Sequence, residues 1–286
     1  MDYNLCDYNT VKKILSAHGF NFSKALGQNF IIDDSICPAM AEMLGADEKT
    51  GVLEVGPGVG VLTKELCKRA GKVVSVELDE RLYPVLEQTM ADYDNFELVK
   101  GDVMKIDLHA LIAEKFADCD EVKICANLPY YITSPVIMML LQSKLPITEI
   151  EVMVQQEAAE RLCAPIGSRE AGAVSVAVNY YGESEILFNV GRESFMPSPK
   201  VDSSVIKIVV REKPEFEVKN EKQFFSLVKC AFAQRRKTLV NSLSNSLGKS
   251  KPEVANALAQ LGLAPTVRAE NLKMEDLVNL ADLLFN

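Results

Sequence analysis

The sequence predicts an α/β protein, in which a doubly wound, mostly parallel sheet is followed by a small all-helical domain. Five short β-branched runs alternate with stretches of helical periodicity, which is typical of a parallel sheet covered by helices. After the charged, proline-containing segment 211–216, helical periodicity alone continues to the end of the 286-residue chain. These two observations divide the chain into a sheet domain, residues 1–212, and a helical domain, residues 213–286.

The predicted elements follow one another at the spacing of strand-helix-strand units. The five strands are 51–55, 72–76, 96–99, 122–126 and 149–154, with helices over 61–70, 79–91 and 134–143. Two further runs, 186–190 and 203–210, have no full helix between them, so we expect an antiparallel pair at one edge of a seven-stranded sheet. The predicted helices of the second domain are 221–234, 237–247, 251–261 and 273–285.

The composition is that of a globular protein with a sizeable core, since 48% of residues are hydrophobic and 25% are charged. No signal peptide is predicted, and the most apolar segment, 131–141, is too short for a membrane span. Seven cysteines without a CxxC pair indicate reduced thiols and a cytoplasmic protein. Two distant histidines without a thiol cluster give no reason to expect a metal site.

Charge is unevenly distributed along the chain. The net charge of −9 argues, taken as an average, against a nucleic-acid partner. Residues 214–286, however, carry ten lysines and arginines against eight acidic residues. The densest basic point is Arg235, Arg236 and Lys237, which we regard as candidate RNA contacts, with a solvated helix face as the alternative.

A glycine loop follows the first predicted strand, and a helix follows the loop at once. Residues 56–60 are Gly-Pro-Gly-Val-Gly, and such glycines let the backbone turn tightly and approach a ligand. The third glycine comes one position too early for a dinucleotide fingerprint, which disfavours an NAD-dependent dehydrogenase. The spacing suits S-adenosylmethionine, which has no phosphate. We therefore expect this cofactor to contact Glu54, Gly56, Gly58 and Gly60.

Acidic residues end or follow the next two strands. Glu77 closes the second strand, about 20 residues beyond the glycine loop, where a carboxylate can accept hydrogen bonds from both ribose hydroxyls. Asp102 follows the third strand, where it can accept a hydrogen bond from the amino group of an adenine. The loop and the two acids together predict an adenosine-type cofactor site.

The fourth predicted strand ends in Asn127-Leu128-Pro129-Tyr130. Motifs of this form are found in enzymes that methylate exocyclic amino groups. The Asn127 side-chain oxygen and the Leu128 carbonyl can each accept one amine hydrogen, which directs the nitrogen lone pair toward a methyl donor. Pro129 stiffens the turn, and Tyr130 offers a flat face on which a base can stack. These four residues are the predicted catalytic set, and the chemistry requires no metal.

A second aromatic residue would help to hold a base that has left its stack. Phe195 is the candidate, in a proline-containing loop before the last predicted strand, and a buried core phenylalanine is the alternative interpretation. Lys200 in the same loop could contact a phosphate.

Taken together, these motifs resemble the rRNA adenine N6-dimethyltransferase family, and within it the bacterial enzymes of the small subunit. The resemblance extends over nearly the whole chain, in segments 24–33, 52–66, 74–82, 101–107, 126–135, 153–162, 195–206 and 231–243. It implies a class I (Rossmann-like) methyltransferase fold with a helical C-terminal domain. It also adds Gln28, Asn29 and Ile31 to the cofactor pocket, places Asn127 between cofactor and acceptor, and matches Phe195 to a base-stacking position.

The implied reaction is four methyl transfers, two to each of two adjacent adenines in the 3′-terminal hairpin loop of 16S rRNA. The implied partner is this rRNA within an immature 30S subunit, docked partly by the helical domain, and we expect the enzyme to act as a monomer. Two alternatives stay open at this point. One is a 23S rRNA methyltransferase of the macrolide-resistance type, and the other is an assembly checkpoint factor that uses the same fold.

Overall fold

The computed structural model describes residues 3–20 and 28–285. Residues 24–27 of the first resembling segment lie outside the described residues. The strands are β1 (Phe30–Ile31), β2 (Thr50–Val55), β3 (Lys72–Glu77), β4 (Phe96–Lys100), β5 (Glu121–Asn127), β6 (Glu149–Gln155), β7 (Gly182–Val190), β8 (Phe195–Met196) and β9 (Ser203–Val210). The helices are α1 (Tyr8–Ala17), α2 (Ile36–Met43), α3 (Val61–Cys67), α4 (Tyr83–Thr89), α5 (Leu108–Lys115), α6 (Thr133–Gln142), α7 (Gln156–Leu162), α8 (Ala173–Tyr181), α9 (Glu221–Phe232), α10 (Leu239–Leu247), α11 (Lys251–Gln260) and α12 (Met274–Phe285).

The main sheet has seven strands in the order β4-β3-β2-β5-β6-β9-β7. The strands from β4 to β6 pair in parallel, and β9 pairs antiparallel with β6. The predicted α/β class and the seven-stranded, mostly parallel sheet are confirmed. The two runs expected at one edge are indeed neighbours there, as β9 and β7. Every residue of β2 is buried, as expected for a central parallel strand covered on both faces.

The loops that follow β2, β3, β4 and β5 all lie at one edge of the sheet. The glycine loop leaves β2 after Val55, while Glu77 is the last residue of β3 and Asn127 the last of β5. Because these strands are parallel, their carboxyl ends meet at the same edge, where open α/β sheets bind ligands. The polar residues that the sequence places after successive strands are brought together in this way.

A second, two-stranded sheet was not predicted. In it β1 pairs antiparallel with β8, so that Phe30 lies opposite Met196 and Ile31 opposite Phe195. All four of these side chains are buried. Strands of two residues carry too little periodicity to be recognised in a sequence.

The chain forms two compact units. The first contains Met1–Ala159 and Glu185–Val210, and the second contains Glu160–Ser184 and Arg211–Asn286. The second unit holds the four helices predicted after residue 213, namely α9 to α12, together with α8. The predicted division at residue 212 did not include residues 160–184 in the helical part.

Aromatic packing accounts for the place of α8 in the second unit. Tyr180 contacts Phe224 and Phe225 of α9 at ring-centroid distances of 5.4 Å in both cases. Tyr181 stacks on Phe225 at 5.5 Å with an interplanar angle of 15°. Pairs of this kind stabilise a fold beyond the area they bury. In the part of the chain that the structure describes, no helix is both long and apolar enough to cross a membrane.

Candidate active site

A cleft opens at the carboxyl edge of the sheet in the first unit and encloses about 1030 Å³, its mouth included. Twelve of the predicted site residues line it: Gln28, Asn29, Ile31, Glu54, Gly56, Gly58, Glu77, Asp102, Asn127, Leu128, Pro129 and Tyr130. Gly60 and Phe195 belong to the same unit and do not line the cleft.

The glycine loop needs its glycines for conformation and for space. Gly56 and Gly58 have φ angles of 71° and 61°, a left-handed region that other residues rarely adopt. A Cβ atom on Gly58 would lie 3.1 Å from the Phe30 ring, whereas a Cβ on Gly56 would meet nothing within 4 Å. Gly60, with a φ of 94°, begins α3 and would place a Cβ 3.0 Å from the Met90 sulfur. Gly60 therefore does not face the cleft, and its lack of a side chain lets the loop pack closely against Met90.

Glu77 is an acceptor held in place by the backbone. Its carboxylate accepts hydrogen bonds from the amides of Asp79, at 2.7 Å, and Gly58, at 3.4 Å. Its side chain is nearly buried, and burial raises the pKa of Glu77 to about 7. The carboxylate thus forms part of the cleft wall and can accept further hydrogen bonds from a diol.

Glu54 lies deeper beneath the glycine loop. One of its carboxylate oxygens accepts hydrogen bonds from the hydroxyls of Thr63, at 2.7 Å, and Ser75, at 2.5 Å. Burial raises the pKa of Glu54 to about 7 as well. The two hydroxyl bonds tie the end of β2 to α3 and β3, so this residue supports the loop in addition to lining the cleft.

Asp102 is more accessible, with 27% of its side chain exposed. It accepts the amide of Met104 at 3.0 Å and forms an ion pair with Lys105 at 3.3 Å. Asp102 follows β4 in the chain, and these contacts orient its carboxylate at the wall of the cleft. A carboxylate in this position can accept a hydrogen bond from an exocyclic amine.

The segment 127–130 forms the other end of the cleft. The Asn127 side-chain nitrogen donates to the carbonyl of Asn29 at 3.3 Å, which leaves its side-chain oxygen as the acceptor. The Leu128 amide donates to the Met153 carbonyl at 3.1 Å and anchors the turn to β6. The Tyr130 hydroxyl is 2.8 Å from that of Ser203. Two acceptors and one aromatic face are thereby placed beside the cleft.

The N-terminal segment with Gln28 and Asn29 closes one side of the cleft. The Gln28 side-chain amide donates to Asp79 at 2.7 Å, and the Arg81 guanidinium also pairs with Asp79, at 2.6 Å. The segment is therefore tied both to the loop after β3 and, through Asn29, to Asn127. These contacts join the carboxylate-lined end of the cleft to the end formed by residues 127–130.

Phe195 is 3% exposed and belongs to the hydrophobic core cluster of the first unit, where its strand β8 pairs with β1. The ring can reach a base only if it turns out of this core. Its role in stacking stays a prediction.

The basic candidates differ in their contacts. Lys200, Arg235, Arg236 and Lys237 are all exposed. The Arg235 guanidinium donates to the carbonyls of Arg169 and Ala171, within the second unit. Arg235 therefore ties two segments of this unit together, a role that no sequence pattern indicated.

Some cleft residues were missed by the sequence analysis, notably Leu78, Val103 and Tyr131. Each is next to a motif residue, and adjacency was the only signal that could have found it. Leu78 is 47% and Tyr131 55% exposed, although both are large and apolar. Exposed apolar side chains around a cleft are typical of a ligand-binding surface.

The lining as a whole indicates which cofactor fits. Among the described residues that line the cleft, three are carboxylates and none is lysine, arginine or histidine. This set suits a cationic cofactor without phosphate, as S-adenosylmethionine is, and it does not suit a pyrophosphate. Glu77 would hold the ribose and Asp102 the adenine edge. The loop at Gly56 would let the backbone approach the cofactor closely. The fold and the site together define a class I, S-adenosylmethionine-dependent methyltransferase.

Comparison with known proteins narrows this class. The family model described as ribosomal RNA adenine dimethylase matches residues 19–285, and the chain belongs to this family. Among similar curated proteins, "Ribosomal RNA small subunit methyltransferase A" of Geobacillus thermodenitrificans is 46% identical over 96% of this chain and 94% of its own length. The protein of the same name in Bacillus licheniformis is also 46% identical, with the same coverage.

Two of the solved structures that are similar to this chain are those of a dimethyladenosine transferase and a 23S rRNA methyltransferase. A dimethyladenosine transferase from Plasmodium falciparum has a TM-score of 0.72 and 26% identity, covering 87% of this chain and 95% of its own. The 23S rRNA methyltransferase ErmE has a TM-score of 0.66 and 26% identity, covering 90% of this chain and all of its own. Both agree with the fold and the class of enzyme.

Proposed function

We propose that this chain transfers methyl groups from S-adenosylmethionine to the N6 atoms of two adjacent adenines in the 3′-terminal hairpin loop of 16S rRNA, two to each base. The observation that carries the proposal is the placement of Asn127 and the 128–130 turn beside the carboxylate-lined end of one cleft. The cofactor end binds the methyl donor, and the acceptor end binds an aromatic amine.

The chain's part in the reaction is mainly positioning. When bound, S-adenosylmethionine supplies an electrophilic methyl group on a sulfonium. An adenine amine is a poor nucleophile, because its lone pair is delocalised into the ring. The Asn127 oxygen and the Leu128 carbonyl each accept one amine hydrogen and so direct the lone pair toward the methyl group. Near-attack geometry of this kind can lower a barrier by several kcal/mol.

No side chain has to act as a base at this site. The nitrogen becomes cationic as its bond to the methyl carbon forms, and its proton then leaves readily to water. After the first transfer the amine retains one hydrogen, so one of the two acceptors suffices for the second. Tyr130 contributes a stacking face, and stacking on an aromatic side chain is worth about 1–3 kcal/mol per base.

The substrate we propose is the immature 30S subunit, on which the enzyme acts as a monomer in the cytoplasm. The small-subunit relatives support this choice over a 23S target, since they are 46% identical whereas the 23S enzyme is 26% identical. RNA docking would use the exposed Lys200, Arg235, Arg236 and Lys237. Their contacts would position the enzyme, while the shape of the hairpin would specify the target.

A methyl-transfer assay tests the proposal. The protein is incubated with labelled S-adenosylmethionine and, separately, with 30S subunits lacking these methyl groups, 50S subunits and protein-free 16S rRNA, and the nucleosides are then identified by mass spectrometry. Dimethyladenosine in 30S subunits alone is the expected result. Label in 23S rRNA would contradict the choice of target, and cofactor binding without any transfer would leave a non-catalytic assembly factor as the better explanation.

A further inference from the structure

The aromatic face of Tyr130 is held by a partner far away in the sequence. Its hydroxyl lies 2.8 Å from the hydroxyl of Ser203, 73 residues further along the chain. Tyr130 belongs to the turn between β5 and α6, whereas Ser203 is the first residue of β9. The hydrogen bond therefore joins the turn at residues 128–132 to β9, a separate strand of the same sheet as β5.

Ser203 is well suited to fix a neighbouring group. Its side chain is fully buried, at 0% exposure, so water does not compete for its hydroxyl. Its backbone is paired with Gln155 in the β6–β9 ladder, which fixes the position of its Cβ atom. A hydroxyl that is both buried and mounted on a paired strand is a rigid reference point.

A tyrosine in a turn needs such a reference point if it is to stack on a base. Rotation about its side-chain bonds presents either the face or the edge of the ring, and only the face stacks well on a flat base. A hydrogen bond at the phenolic oxygen fixes the position of that atom and so restricts rotation about the Cα–Cβ bond. Rotation about the Cβ–Cγ bond leaves the oxygen in place, but a phenol hydrogen bond prefers to lie in the plane of the ring, so the direction of its partner also favours one ring orientation. Methyl transfer is sensitive to small displacements of the acceptor, because it depends on near-attack geometry.

We propose that Ser203 is a positioning residue for methyl transfer, and that its hydroxyl holds the Tyr130 ring in the orientation that receives the target adenine. This inference rests on the proposed function. Ser203 does not line the cleft itself and acts only through Tyr130.

The next residue supplies a matched control. Ser204 is equally buried, at 0% exposure, and lies on the same strand. Its hydroxyl bonds to the side-chain oxygen of Asn189 at 2.8 Å. Replacing either serine by alanine removes one buried hydroxyl and one hydrogen bond, but only Ser203→Ala releases Tyr130.

The experiment compares Ser203→Ala, Ser204→Ala, Tyr130→Phe and the double variant Tyr130→Phe/Ser203→Ala. Transfer is measured on 30S subunits lacking the methyl groups, with kcat and KM determined separately, and binding of S-adenosylhomocysteine is measured by calorimetry. We expect Ser203→Ala and Tyr130→Phe each to lower kcat roughly 3- to 10-fold, and the double variant to fall no further. Cofactor affinity should stay unchanged, and Ser204→Ala should lose thermal stability but keep its kcat.

The proposal is overturned if Ser203→Ala keeps the wild-type kcat, if the two single losses multiply in the double variant, or if Ser204→Ala loses as much activity. Inactivity of the wild-type enzyme on every rRNA would instead contradict the proposed function. A crystal structure of the unliganded Ser203→Ala variant then decides the positioning role separately. A displaced Tyr130 ring supports it, and an unmoved ring overturns it.

Discussion

Glu77, at the carboxylate-lined end of the cleft, is held by backbone amides of its own and the adjacent strand's loop, whereas Asn127 and Tyr130, at the other end, are held by segments distant in sequence. Glu77 accepts amides from Asp79 and Gly58, two and nineteen residues away. Asn127 is bonded to the carbonyl of Asn29, 98 residues away, and Tyr130 to Ser203. The Glu77 contacts need only β2, β3 and the loops that follow them, while the Asn127 and Tyr130 contacts need segments as far apart in the sequence as residues 29 and 203.

This difference has a consequence for function. Contacts that depend on adjacent strand ends make a cofactor site that is complete before substrate arrives. The positions of Asn127 and Tyr130 depend on several remote segments, so a substitution in any one of these segments can alter the acceptor site. Substitutions at the two ends should therefore separate cofactor binding from methyl transfer.

The largest effect is expected at the acceptor end. Asn127→Ala removes an amine acceptor and the bond to the Asn29 carbonyl. We expect the rate of methyl transfer to fall by about 100-fold or more, with an unchanged circular dichroism spectrum. Single-turnover kinetics with saturating cofactor measures this loss. Turnover at the wild-type rate would show that the amine is held elsewhere.

The next effect is expected at the cofactor end. Glu77→Ala removes the acceptor that we propose for the ribose hydroxyls, and hydrogen bonds to a charged group are the stronger kind. We expect the Kd for S-adenosylhomocysteine to rise roughly 10- to 100-fold, as measured by calorimetry. Normal cofactor binding by Glu77→Ala together with a loss of methyl transfer would contradict the separate roles of the two ends.

Cofactor affinity should also depend on pH. Burial raises the pKa of Glu77 to about 7, and hydroxyl donors favour its ionised form. Affinity should therefore be full well above pH 7 and fall, by up to about tenfold per pH unit, as the pH drops through that value. Calorimetry in buffers of different ionisation enthalpy should detect proton release near neutrality.

The control for this pH dependence is Glu77→Gln, which cannot titrate. The pKa of Glu54 is also raised to about 7 by burial, so part of the dependence should remain in this variant. A pH profile that is identical in Glu77→Gln and the wild type would assign all of the effect to Glu54 or to another group.

The smallest effect is expected for Asp102→Asn. The amide oxygen can still accept a hydrogen bond from the adenine amino group, and the lost ion pair with Lys105 is largely exposed and weak. We expect the Kd for S-adenosylhomocysteine to rise only about 2- to 5-fold. A loss as large as that of Glu77→Ala would mean that Asp102 has a larger share in the site than its exposure indicates.

The cofactor end could be predicted from the sequence because its signals are local. Glu77 and Asp102 each stand at or directly after a predicted strand, and parallel strands bring such positions to one edge. The acceptor motif was recognisable for the same reason. Its supports were not, because neither the Asn29 carbonyl nor the Ser203 hydroxyl has a sequence pattern that indicates its partner.

Burial of charge could not be predicted either. The run 149–154 was correctly expected to be a strand, but its two glutamates gave no sign of their surroundings. Glu151 is fully buried, and burial raises its pKa to about 8. Lys207, which lies opposite Glu151 in the ladder, comes from β9, more than fifty residues later. Lys207 forms its ion pair with Glu149, at 3.4 Å, and only tertiary structure brings these three side chains together.

The crystal structure of this protein with S-adenosylhomocysteine is the decisive measurement for the proposed cofactor site. We expect the ribose hydroxyls at Glu77, the adenine edge at Asp102 and a glycine loop in the conformation described here, with Asn127 still hydrogen-bonded to the Asn29 carbonyl. A ribose bound away from Glu77 would contradict the assignment of that residue, and a loop at Gly56 to Gly60 that rearranges to admit the cofactor would contradict a cofactor site that is already formed in the unliganded protein.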